Sequence, residues 1–248
     1  HDIVREEGRD ILPQADAVVN PKQQDCAYPW KEICGAVVAY KVVKVLYERH
    51  GIGDHEWEEM MEFAAIATVG DVMRLQDENR ILVREGLARM HLTKSAGLRK
   101  LVEKNKLDIE HLTAFHIGFV IGPCLNAGGR LQTAKMALRL LLSEDEREAD
   151  RLAQELKLLN DQRKDMTSEG TEQAAGQVEE NYLGDKVLVV YLPDCHESLA
   201  GIIAGRLRER YHKPSIVLTK AEEGVKGSGR SIEGYHMFEA LLEVKELL

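Results

Sequence analysis

The sequence predicts an α/β protein made of a mainly helical block, a long connector helix and a small α/β block. Three observations carry that prediction. No proline interrupts the chain between Pro29 and Pro123, as a mainly helical stretch requires. Residues 143–182 hold 12 acidic and 5 basic side chains around a narrow stripe of Leu152, Leu156 and Leu159, the pattern of a long helix that touches its neighbours on one side. After Asn181 the apolar period changes, and two short apolar runs flank a helical pattern, which reads as a βαβ unit, right-handed by the usual chirality.

In chain order, residues 11–34 read as a loop-rich stretch punctuated by Pro13, Asn20-Pro21 and Tyr28-Pro29, because the residue before a proline avoids helix. No strand or helix start is evident before it. From Gly35 to His50 the residues Val38, Val42, Val45 and Leu46 recur at helical spacing, and Gly51 stops the helix. Further helices are expected at 56–67, 71–91, 93–104 and 108–116. The glycine-rich run 121–131 reads as a loop, with helix resuming at 132–142 and the acidic helix at 144–180. Lys186–Leu192 and Ser215–Thr219 read as buried strands, with a helix from Gly201 to Tyr211 between them.

The chain has 248 residues and a formal net charge of −9. Seven of those charges fall in 143–182, which leaves residues 1–142 and 183–248 at −1 each. A basic nucleic-acid coat is therefore excluded, and any phosphate contact rests on a few placed arginines. No run of 18 apolar residues occurs and no signal pattern opens the chain. The four cysteines form no Cys-x-x-Cys pair, which fits free thiols in a reducing cytoplasm. His stands at position 1, and the stretch from Phe238 stops in an apolar helical pattern, so a piece of a longer chain is expected.

Four places carry candidate chemistry. In the run 122–130, Gly128 and Gly129 allow close backbone approach, Arg130 offers a planar fork for a phosphate and Asn126 adds an amide; a helix-entry turn with Arg130 paired to a carboxylate is the alternative. Lys226-Gly227-Ser228-Gly229-Arg230-Ser231 presents backbone N–H groups and cations to an anion, or is a flexible turn between strands. His196 follows a strand's carboxyl end, where open sheets bind ligands, unless it is structural and Ser198 caps the next helix. Asp71 offers a hard oxygen for a divalent cation, or caps the helix after it.

Several motifs then resemble the RecJ family of single-strand-specific 5′→3′ DNA exonucleases, within the DHH phosphoesterase superfamily. They are Leu12-Pro13-Gln14-Ala15-Asp16 through Gln23, Glu32-Ile33-Cys34-Gly35-Ala36, Ala67–Val72, Glu78–Val83 and Ile121–Leu131. Residues 196–214 and Lys226–Ile232 resemble that family's DHH-associated domain. The resemblance implies the C-terminal part of a DHH domain at 1–142, a connector helix at 143–182 and a truncated DHH-associated, substrate-binding domain at 183–248. It implies Mn²⁺ or Mg²⁺ in a two-metal site, with Asp71 and His1 as catalytic metal ligands. Asn126, Arg130, His196, Ser228, Gly229 and Arg230 would bind single-stranded DNA in a cleft between the outer blocks. Other DNA-repair proteins are the implied further partners, the setting is repair and recombination in the cytoplasm, and no membrane is involved. The family's earlier aspartate motifs are absent from the sequence, so the piece alone is expected to be inactive. A phosphodiesterase for short oligonucleotides or dinucleotides, and a non-catalytic DHH-like binding module, are the alternatives.

Overall fold

The computed structural model describes residues 3–53 and 56–247; the His1 assignment lies outside them. Two compact units divide the chain. One takes the residues up to Asn126 together with Ala134–Lys157, and the other takes Ala127–Thr133 together with everything from Leu158.

The first unit opens on a hairpin that the sequence reading did not anticipate. Strands β1 (Val4–Glu6) and β2 (Arg9–Ile11) pair antiparallel around Glu7 and Gly8, both with positive φ. A two-residue loop of that hand matches strand twist, and Arg5 bonds Asp10 across it at 2.8 Å. Helix α1 (Gly35–His50) ends on Gly51 in the left-handed conformation, as read from sequence. It buries Val37 and Tyr40, whereas Val38, Val42, Val45 and Leu46 line an open apolar recess of about 490 Å³ with residues 18–33.

Helix α2 (Met61–Gly70) follows a 3₁₀ turn at Glu56–Met60, and helix α3 spans Asp77–Arg89. The expected helix 71–91 thus loses its first six residues to a turn. Val72 takes φ 56° there, and buried Asn79 donates from Nδ2 to the carbonyls of Glu32 (2.6 Å) and Arg74 (3.0 Å), tying the turn down. Helix α4 (Ala96–Lys104) is capped by Ser95, whose side chain accepts from the Leu98 N–H, and it buries Leu98, Leu101 and Val102.

After a 3₁₀ turn at Ile109–His111, α5 (Ala114–His116) runs through a π-helical turn, Ile117–Ile121, into α6 (Gly122–Leu131). The loop expected at 121–131 is therefore helix. Pro123 lacks the N–H an α-helix needs and its ring crowds the preceding turn; the wider π turn relieves both. Gly122 donates to the Ile117 carbonyl, and a Cβ on Gly122 would sit 2.9 Å from that oxygen, so only glycine fits. Helix α7 (Lys135–Leu142) and the first part of α8 (Glu146–Gln177) complete the unit, with Ala149, Leu152, Ala153 and Leu156 in its core.

In the second unit the later part of α8, continued by a π turn at Val178–Tyr182, packs Ala174, Ala175 and Val178 against a three-stranded sheet and α9 (Glu197–Tyr211). Strands β3 (Leu188–Tyr191), β4 (Ser215–Lys220) and β5 (Val225–Arg230) lie in the order β3-β4-β5. The first pair is parallel, Leu188 opposite Ser215, and the second antiparallel, Ser215 opposite Arg230. The expected fully buried strand at 186–192 is covered on one face only: Leu188 and Val190 are buried while Val189 and Tyr191 are exposed. Gly170 on α8 admits Ile203 of α9, whose Cδ1 would lie 2.7 Å from a Cβ there. A short α10 (Met237–Glu243) follows β5. All four cysteines are free thiols.

One buried carboxyl sets a pH dependence. Glu62 on α2 is 6% exposed and accepts from the Thr93 hydroxyl at 2.6 Å; burial raises its pKa above the ordinary 4.5. The folded state thus holds this proton more tightly than the unfolded chain does. Stability from this group is full below about pH 4.5 and is lost as pH rises through the higher folded pKa. Glu62→Gln keeps the acceptor for Thr93 without the charge. It is expected to melt higher than the unsubstituted protein at pH 7 and to match it near pH 4; equal melting temperatures at pH 7 would refute the assignment.

Candidate functional site

The second unit gathers five of the residues singled out in the sequence. Its centre is the N-terminal end of α9. His196 is the helix N-cap: its Nδ1 accepts from the Ser198 N–H at 3.3 Å and lies 2.8 Å from the Ser198 hydroxyl. The sequence alternative gave that capping role to Ser198, but Ser198 is the second residue of α9, and the side chain that accepts a first-turn N–H is that of His196. Arg130 donates from Nη1 to the Ser198 carbonyl at 2.9 Å. It pairs with a backbone oxygen, which leaves its formal charge uncompensated by a carboxylate in that contact.

Lys226–Arg230 lies in strand β5, neither an anion loop nor a turn. Its glycines answer to space. Gly227 stands opposite Leu218 and Gly229 opposite Ile216; a Cβ would meet Leu218 Cδ2 at 2.6 Å in the first case and Met237 Sδ at 2.3 Å in the second. Small residues at β5 keep the strand close to its cover, and the polar residues between them project along one face. Arg230 donates from Nη1 to the Ser228 hydroxyl (3.2 Å) and to the Gly229 carbonyl (2.8 Å).

Arg230 and Ser228 lie against α9 because Gly201 has no side chain. A Cβ at Gly201 would be 2.7 Å from both Arg230 Nη2 and Ser228 Oγ, and Gly205 one turn on meets only Arg230 Cγ at 4.0 Å. The Gly201-x-x-x-Gly205 spacing on one helix face was the signal available for this contact, and sequence reasoning passed over it. Lys226 pairs with Glu197 at 2.8 Å, and that contact holds the exposed Glu197 carboxyl below the usual range. Beside them a recess of about 290 Å³ is lined by Glu197, Ser198, Thr219 and Lys226. A guanidinium, a hydroxyl, an ammonium and an imidazole at one helix end can hold phosphate oxygens.

Asp71 and Asn126 belong to the first unit. Asp71 is the C-cap of α2, its N–H bonded to the Ala67 carbonyl at 2.8 Å, and it is exposed. It does not cap the following helix, whose N-cap is Gln76. Among the described residues no three His, Cys, Asp or Glu side chains gather where a metal ion would sit. Asp71 alone is a single oxygen ligand, so the described residues do not make up a metal centre and no metal-borne step follows from them. Asn126 is exposed on α6.

Comparison with known proteins places this geometry. The DHHA1 domain model matches residues 184–247. The chain is 39% identical over 239 residues to the single-stranded-DNA-specific exonuclease RecJ of Bacillus subtilis, covering 96% of this chain and 30% of that protein. Its identity to RecJ of Escherichia coli is 36% over 253 residues, covering 94% and 43%. Over nearly its whole length the chain is similar to these RecJ proteins, and its residues 184–247 match the DHHA1 domain. Crystal structures agree: Thermus thermophilus RecJ in complex with Mn²⁺ superposes with a TM-score of 0.78 at 33% identity, covering 91% of this chain and 33% of that one. An exonuclease RecJ bound to manganese gives 0.77 at 33%, covering 90% and 55%. The α9–β5 cluster falls within the stretch matched by the DHHA1 model, whereas Arg130 lies outside it. The chain spans 30% to 43% of the length of these curated RecJ relatives. No described helix is long and apolar enough to cross a membrane.

Proposed function

We propose that this chain is part of a divalent-metal-dependent exonuclease that hydrolyses phosphodiester bonds of single-stranded DNA from the 5′ end, in DNA repair and recombination. The observation that carries the reading is the cluster on α9 and β5, where Arg230 and Ser228 lie over Gly201 and Arg130 grips the Ser198 carbonyl. Residues 1–142 are then the C-terminal part of a DHH domain, 143–182 the connector, and 183–248 the DHH-associated domain. His196, Ser228, Gly229 and Arg230 hold phosphates of the strand, Asn126 and Arg130 contact its backbone, and Asp71, with His1, contributes ligands for Mn²⁺ or Mg²⁺. Held by Asp71 and the remaining ligands of the whole protein, such a metal would supply Lewis-acid charge at the scissile phosphate. The cytoplasm and other DNA-repair proteins are the proposed setting and further partners.

The test is digestion of a 5′-labelled single strand with Mn²⁺ by the full-length protein and by the 248-residue chain alone. Full-length protein is expected to release short products from the 5′ end, and the chain alone to release none. Retained long strands with the former, or robust cleavage by the latter, would count against the reading. A substitution at Gly201 separates binding from folding. Gly201→Ala favours the helix by up to about 1 kcal/mol, yet its methyl displaces Arg230 and Ser228. Affinity for a single strand is expected to fall about tenfold, the worth of a charge-assisted hydrogen bond, with no drop in melting temperature. Unchanged affinity would refute the role given to Arg230.

A further inference from the structure

We infer that Phe115 and Phe119 form a stacking platform for the unpaired bases of a single strand, a site that rests on the reading above and adds base contacts to it. Both rings stand on the outer side of the helical run that leads into α6, 62% and 68% exposed. They stack on each other with centroids 4.8 Å apart and planes 28° from parallel, and His116 packs edge-on against Phe115 at 6.1 Å. They are not overflow from the core. Ile117, Ile121 and Cys124, on the other side of the same run, are fully buried, so this run is apolar all round and shows its largest rings to solvent.

Three features select a nucleobase as the occupant. The first is shape: two rings stacked within 28° of parallel leave an outer, solvent-facing π-surface on the stack, which any base can extend without sequence preference. The second is position. Asn126 follows Phe119 by seven residues, two helical turns or about 10 Å along the axis, and it belongs to the same unit. The third is charge. Between Glu110 and Glu144 the sequence contains no Asp or Glu, although the chain carries 42 of them, while Arg130, Lys135 and Arg139 lie in that stretch. A polyanion meets no carboxylate of this stretch, and the rings supply what phosphates cannot recognise. The π turn at Ile117–Ile121 fixes how the Phe119 ring follows Phe115, so the platform is built into the backbone.

The experiment compares two probes on the 248-residue chain by fluorescence anisotropy: a short labelled oligothymidylate and an abasic oligomer of the same length and charge. Phe119→Leu is expected to weaken the oligothymidylate about tenfold and leave the abasic oligomer unchanged. Phe119→Trp is expected to keep the affinity and to show indole fluorescence quenched when the oligothymidylate binds. Arg230→Ala should weaken both probes alike. If Arg230→Ala weakens both while Phe119→Leu weakens neither, or weakens both equally, the platform is refuted and the phosphate site stands. That is also the result expected if a protein surface covers the rings. If neither probe binds the unsubstituted chain, or Arg230→Ala changes neither, the nucleic-acid reading itself fails and the platform with it.

Discussion

Gly97→Ala is expected to destabilise the first unit by about 3 kcal/mol or more, an effect at the upper end for one methyl group. Gly97 is the second residue of α4, and a Cβ there would fall 1.9 Å from the Leu140 carbonyl oxygen and 2.6 Å from its carbon. The obstacle is backbone in α7 and has no rotamer to yield. The surroundings hold it in place: Ser95 caps α4 and donates to the Leu141 carbonyl at 3.3 Å, and Leu98, Leu101 and Leu140 are fully buried. Alanine is the better helix former by about 1 kcal/mol, so any loss measured is a lower bound on the clash. Gly176 in α8 is the control, since a Cβ there meets nothing within 4 Å; Gly176→Ala is expected to gain about 0.5–1 kcal/mol. Urea unfolding reads both. A Gly97→Ala midpoint within error of the unsubstituted protein would show that α4 and α7 are not in this contact.

Asp71→Ala in the full-length protein is expected to lower Mn²⁺-dependent strand cleavage by at least about 100-fold, since a metal's charge stabilisation is worth several kcal/mol. The turn after α2 explains why the fold itself should tolerate the change. The Asp71 side chain is exposed, and the backbone around it is fixed by the Asp71 N–H to Ala67 and the Met73 N–H to the Thr68 carbonyl at 3.1 Å, bonds that alanine keeps. Val72 at φ 56° and 87% exposed is an unfavourable conformation for a β-branched residue, held so that the chain turns away directly after the carboxylate. Two readouts separate a ligand from a structural role: Mn²⁺ binding to the full-length protein, expected to weaken, and its melting temperature without metal, expected to stay the same. Full activity in Asp71→Ala would remove Asp71 from the metal site.

Much of the fold was legible because periodicity reports burial. Helix α1 with its Gly51 stop, the long α8, the helix over 201–211 and both strands of the parallel pair stand where the apolar spacing put them. Two of the errors share one cause. In the run 121–131 and in Lys226–Ser231, glycine reads as the mark of a loop whose backbone can approach a ligand or present N–H groups to an anion. In the structure it supplies room instead, against the Ile117 carbonyl, Leu218 and Met237, and the chain there is helix and strand. Sequence alone does not distinguish these uses, because the space a glycine saves depends on a partner distant in the chain. The hairpin at Glu7-Gly8 was missed for the opposite reason: its strands are three residues long, too short for alternation to register. Asp71, Asn126, Arg130, His196 and the 226–231 run stand out by residue type and position, and the family resemblance adds His1. The Gly201 contact that seats Arg230 needed the strand register before it could be seen.

The way the two units share the chain has a practical consequence for dissection. Ala127–Thr133 belongs with the second unit, although the first unit resumes at Ala134. No single cut therefore yields two self-sufficient fragments. A truncation starting at the DHHA1 boundary, residue 184, discards Arg130 and with it the bond to the Ser198 carbonyl, together with the part of α8 that covers the sheet. Binding measured on such a fragment would understate the domain, whose working outline includes a borrowed segment from more than 50 residues upstream of that boundary.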